Sequence, residues 1–170
     1  FDIDIPRAEI ALTVTQDGGP LPDPDGGHGA LLLATADADA SAGRVELSSV
    51  PPSIFVLSAE HTVHYVGNES ACASPPAPAM PCGGGELLSS VALTQDGALA
   101  VDVPTVVVSG GVSFDGSPPS DSTEDRGRVR FTSTVVAGSA TVPLEDSGAV
   151  AYQLRLVPGA YDVSYEANPT

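Results

Sequence analysis

The chain of 170 residues sets 22 acidic side chains against 6 basic ones, a formal charge of −16. That field repels phosphate backbones and anionic lipid, which argues against nucleic acid and membrane surfaces as partners. Its 42% apolar content excludes wholesale disorder, while 18 Gly, 16 Pro and no Trp favour short strands and turns over helices.

No stretch keeps apolar residues at i, i+3, i+4 and i+7, and no apolar run is long enough to cross a bilayer as a helix. The opening FDIDIP has neither an initiator Met nor the pattern of a signal peptide, and reads as a mature or excised fragment. The loop QDGGPLPDPDGG at 16–27 carries Asp17, Asp23 and Asp25 beside Gly and Pro. His28 stands at the start of the next strand, which holds Leu32. The run SIFVL at 53–57 is apolar on both faces, and such a strand is normally covered on both. In the following strand His61 and His64 form an H-x-x-H pair. Three residues apart on a strand places them on opposite faces, so they are poor metal co-ligands, and His61 is expected in the core. Asn68-Glu69-Ser70 is an N-glycosylation acceptor sequence, whereas Asn168-Pro169-Thr170 is blocked by its proline.

Residues 69–86 are rich in Pro and Gly and hold the chain's two cysteines, Cys72 and Cys82. The close spacing in a loop-like segment points to a local disulfide and an oxidising compartment. The segment LLSSVALTQDGALAVDVP then contains a Gln-Asp-Gly turn signal, expected to close a hairpin that feeds the second half.

DIPRAEIALTVTQDGGPLPD from Asp4 and DVPTVVVSGGVSFDGSPPSD from Asp102 align without a gap at an offset of 98. After two extra residues the offset becomes 100, matching Val63, Tyr65 and Asn68 to Val163, Tyr165 and Asn168. The second half reads as strands throughout. RGRVRFTST alternates, with Val129 and Phe131 on one face and Arg128 and Arg130 on the other. SATVPLED belongs at an edge or a bulge because of Pro143. AYQLRL turns Tyr152, Leu154 and Leu156 inward, and AYDVSYEA turns Tyr161, Val163 and Tyr165 inward, with a Pro158-Gly159 turn between them. The expectation is an all-β chain of two tandem antiparallel β-sandwich modules, 1–68 and 87–170, joined by the linker 69–86. The counterpart of the strand that feeds the second module would precede Phe1, so either the first module lacks an edge strand or the chain was cut from a longer array; a missing strand would leave an edge open to another chain.

The strand running into GGVSFDGSPPSD, followed by LRLVPGAYDVSYEA, resembles the carboxypeptidase regulatory-like domain, a prealbumin-like, Ig-like Greek-key sandwich of seven strands. The resemblance covers about 99–168 well and 1–68 less well, where Ser58-Ala59 replaces Pro158-Gly159. It implies a non-catalytic spacer or interaction module of surface and secreted proteins. The related isopeptide-forming pilin domains need a Lys, and this chain has none.

No nucleophile elbow and no phosphate loop leading into a helix is present, so no catalytic residue is assigned. Asp17, Asp23 and Asp25, with Asp115, Asp121 and Asp125 in the matching loop, are candidate calcium ligands. The plainer reading is that Asp and Gly make the turns, since the dedicated calcium-loop spacing is missing. The sharpest contrast between the halves is that Arg126, Arg128, Arg130 and Arg155 stand where the first half has His28, Ala30, Leu32 and Phe55. We expect the arginines to form a basic face and Leu32 and Phe55 an apolar face, each recruited for contact between modules or between copies. The expected function is a non-catalytic extracellular or cell-surface assembly protein, binding copies of itself or other surface proteins. The alternative is a carbohydrate-binding or calcium-dependent adhesion module; a sugar-stacking platform is hard to build with no Trp.

Overall fold

A computed structural model describes residues 5–22, 28–35, 43–68, 77–123 and 126–167. Among them the chain is all strand and turn, apart from one 3-10 turn at Leu47–Ser49. Period-two patterning makes the strands: β1 (Arg7–Gln16) buries Ala8, Ile10 and Leu12 and exposes the residues between them. On one edge β1 pairs antiparallel with β5 (Ser53–Leu57) and closes a hairpin with the two-residue β2 (Gly19–Pro20). On its other edge it runs parallel to β8 (Gly97–Val103). A second, wholly antiparallel sheet has the order β4 (Gly43–Glu46), β3 (Ala30–Thr35), β6 (Ala59–Val66), β7 (Gly85–Leu93). Ile10, Leu12, Val56, Leu99, Val101 and Val103 of the first sheet share one core with Leu31, Leu33, Val45, Val63, Tyr65 and Leu93 of the second.

The second half is smaller. β9 (Val106–Val112) pairs with β12 (Val150–Leu156), and β10 (Arg128–Ser133) lies between β11 (Ser139–Pro143) and β13 (Tyr161–Glu166). Its core joins Phe131, Ala140, Val142, Leu144, Val150, Leu154 and Leu156 with Cys82. Pro143 lies on an edge strand, as its missing N–H requires.

The destination of residues 87–103 differs from the sequence expectation. β7 pairs with β6 and β8 pairs with β1, so both complete the first half and neither belongs to the second. The Gln95-Asp96-Gly97 turn joins two sheets and closes no hairpin. The turn chemistry and the alternation are the same in either case; neither encodes which strand is the partner.

The two halves share their registers residue for residue. Glu9 opposes Phe55 as Val107 opposes Arg155. Leu31 opposes Tyr65 and Leu33 opposes Val63, as Val129 opposes Tyr165 and Phe131 opposes Val163. The hairpin turns repeat in detail, with φ of 50° and 76° at Asp17-Gly18 and 50° and 80° at Asp115-Gly116. Left-handed Asp-Gly is the two-residue turn whose twist suits antiparallel strands. The Tyr65 hydroxyl donates to the His28 carbonyl at 2.9 Å, and the Tyr165 hydroxyl to the Arg126 carbonyl at 2.9 Å.

Residues 77–85 lie between the halves. Cys82 N–H donates to the Arg155 carbonyl at 2.8 Å, the Tyr161 hydroxyl donates to the Gly84 carbonyl at 3.1 Å, and Ala77 N–H donates to Gln153 Oε1 at 3.1 Å. Val157 is buried in the first core and Cys82 in the second, so the cores interlock through this segment.

Candidate interaction surface

In the first half, β8 covers one edge of β1 and β7 covers one edge of β6. In the second half neither has a counterpart: among the described residues β9 pairs only with β12 and β13 only with β10. Val63 and Tyr65 are fully buried, whereas their equivalents Val163 and Tyr165 are 60% and 51% exposed. Phe114 is exposed beside Tyr165, and Val106 and Val107 are exposed on β9. The Phe114 ring meets Tyr165 edge-on with 5.6 Å between centroids, so this apolar surface is held in shape by its own packing. It lies next to the edges of β9 and β13 that have no strand partner among the described residues.

The polar lock on the covered edge of β1 shows what such a strand would meet. Asp102 on β8 accepts from the Thr15 hydroxyl at 2.7 Å and from Gly18 N–H at 2.9 Å, and these two bonds hold its carboxyl below the usual range. Asp17 N–H donates to the Val103 carbonyl at 3.3 Å, and the Asp17 carboxylate accepts from Thr105 N–H at 2.8 Å and its hydroxyl at 2.6 Å.

The arginines do not form the expected basic face. Arg126 is 9% exposed and donates to the carbonyls of Pro119, Leu144, Glu145, Ser147 and Gly148. Gly127, at φ 88°, breaks the alternation before β10 begins and turns Arg126 inward, as Gly29 at φ 74° does for the buried His28. Arg128 and Arg130 both meet Glu166, at 2.6 Å and 3.1 Å. Arg155 binds the Pro78 carbonyl at 2.9 Å and the Thr105 hydroxyl at 2.9 Å, which makes it a strut of the joint between the halves.

Leu32 is half-buried, in register between Arg44 and His64. Phe55 is 62% exposed, covered neither by the second half nor by residues 77–85 of the linker, with the Arg7 guanidinium 4.9 Å above its ring. The expected cover over SIFVL is therefore not supplied by these parts of the chain.

His61 is buried as expected, its Nε2 2.9 Å from the Leu57 carbonyl, and His64 lies on the other face. The Asp17 carboxylate is engaged by Thr105, and Asp121 accepts from Gly148 N–H at 2.8 Å. Asp115 is exposed at its turn, and Asp23, Asp25 and Asp125 lie outside the described residues. Among the described residues no group of three or more His, Cys, Asp or Glu is placed to hold a metal. A crevice of about 360 Å³ is lined by His28, Gly29, Arg44, Glu46, Ser48, Gly67 and Asn68, with Arg44 and Glu46 paired at 2.5 Å and no aromatic side chain among the described lining residues. Cys82 is buried with no free thiol; Cys72 lies outside the described residues, as do Glu69 and Ser70 beside Asn68.

An open edge was expected on the first half, but β8 and β7 cover it there; the edges without a described partner lie on β9 and β13 of the second half. Compared with known proteins, the chain matches no family model, no curated protein and no solved structure.

Proposed function

We propose that this chain is a non-catalytic extracellular assembly protein: two tandem β-sandwich modules that act by protein–protein contact, as a subunit of a surface array, appendage or filament. The observation that carries the reading is the pair of uncovered strands, β9 and β13, with Val163 and Tyr165 exposed where Val63 and Tyr65 are buried. An apolar face beside two open edges is a strand-accepting surface, and leaving it in water favours association. The sandwich part of the reading draws on the first half, where seven strands besides the two-residue β2 divide three and four between two sheets around one core. Cys72 is the only other cysteine, and we assign it as the partner of Cys82, a loop closure that stabilises by about 2–3 kcal/mol.

Light scattering and electron microscopy of the purified chain at physiological salt test the reading. Ordered multimers are expected; a strict monomer at every concentration overturns it.

A further inference from the structure

We propose that residues 1–5 of a second copy dock as a parallel strand on the open edge of β9, joining copies head to tail. This rests on the assembly reading above and names its contact. The first half shows what that edge accepts. β8 runs parallel to β1, with Leu99 opposite Leu12, Val101 opposite Val14 and Val103 opposite Gln16. Leu99, Val101 and Val103 are buried in the core. At the repeat offset of 98, LAVDV at 99–103 followed by Pro104 corresponds to FDIDI at 1–5 followed by Pro6. Phe1, Ile3 and Ile5 replace the three buried apolar residues, and Asp4 stands where Asp102 does. Segment 1–5 is thus the counterpart of β8, and β9, the counterpart of β1, has no described partner on that edge. Carried over, the register sets Phe1 against Gly110, Ile3 against Val112 and Ile5 against Phe114.

The polar lock is conserved between the halves as chemistry. Asp102 is held by the hydroxyl of Thr15 and the N–H of Gly18. The matching positions are Ser113, again a hydroxyl, and Gly116, again left-handed at φ 80° against 76°. Both are exposed. Asp115, at the same φ of 50° as Asp17, stands ready to give its N–H to the Ile5 carbonyl and to accept from the Arg7 N–H, as Asp17 does with Val103 and Thr105. In the chain itself, β8 leads through Pro104 and Thr105 into β9. A docked segment 1–5 leads through Pro6 into the next copy's β1, so the contact between copies repeats the step between halves. Such a contact is heterologous and propagates.

Light scattering across a concentration series reads the proposal. Mass is expected to keep rising with concentration, and deletion of residues 1–5, or Ile3→Asp, should weaken association at least tenfold. Neither change touches β1, which begins at Arg7. A synthetic FDIDIPRA peptide should bind the deleted chain one to one and protect β9 amides from exchange, and its Asp4→Ala form should bind at least threefold more weakly. Multimers that persist after the deletion, or a peptide that leaves β9 unprotected, overturn the strand docking alone. A chain that stays monomeric overturns the assembly reading with it.

Discussion

Tyr65 and Tyr165 occupy one repeat position and carry different loads. Tyr65 is buried and its single hydroxyl proton is shared between two carbonyls, His28 at 2.9 Å and Pro81 at 2.8 Å; Tyr165 is half exposed and donates to the Arg126 carbonyl. Tyr65→Phe should cost about 1–3 kcal/mol by chemical denaturation, since it leaves buried carbonyls short of a donor, and Tyr165→Phe less than about 1 kcal/mol. Burial pushes the Tyr65 phenol well above its ordinary value of 10.0. A raised folded pKa adds stability that is present below the ordinary value and lost as pH rises past it. Melting temperature should therefore fall above pH 10, and Tyr65→Phe should flatten that fall. Arg126 shows how a residue can be misread. Alternation through Arg126, Arg128 and Arg130 puts all three outward, but a left-handed Gly127 resets the phase, and the guanidinium gathers loop carbonyls instead. Arg126→Ala should cost about 2–4 kcal/mol, because those carbonyls lose their charged donor.

At the scale of elements, patterning and position come apart. Strand existence and facing were legible from period two: Val129, Phe131, Leu154 and Leu156 face the interior, and Pro143 sits on an edge, one of the two places the sequence left open for it. The partner of β8 was not legible. Its parallel contact with β1 spans 87 residues from Ile10 to Gly97, and no local signal encodes it. The inward face of β13 was read correctly in phase and wrongly in burial: Tyr161 packs on the second core, but Val163 and Tyr165 stay 60% and 51% exposed, with Phe114 against Tyr165. Matched substitutions separate phase from burial. Val63→Asp places an unpaired carboxylate in a closed core and should cost about 3–5 kcal/mol or prevent folding. Val163→Asp, at the same repeat position on an open face, should stay within about 1 kcal/mol by urea denaturation. Equal losses would mean that β13 is covered in the isolated chain.

For the whole molecule, the joint decides whether two halves behave as one. Val157 follows β12 of the second half yet packs in the first core; Cys82 lies between β6 and β7 of the first half yet packs in the second. Residues 80–85 are buried without a break, and Arg155 and Tyr161 tie them by side-chain bonds to Pro78 and Gly84. Neither half can open without uncovering apolar surface of the other, so calorimetry should show a single endotherm with calorimetric and van't Hoff enthalpies equal. Gly85 is the place to break that coupling. A Cβ there would collide with the Val157 side chain, so Gly85→Val forces Val157 out of the first core, an overpacking cost of about 1–3 kcal/mol concentrated at the contact. The expected outcome is two resolved transitions, the lower from the smaller second half with its uncovered face. Arg155→Ala, which removes the strut without the collision, should broaden the endotherm in the same direction. A single sharp transition in both variants would show that the halves are coupled by something other than residues 77–85.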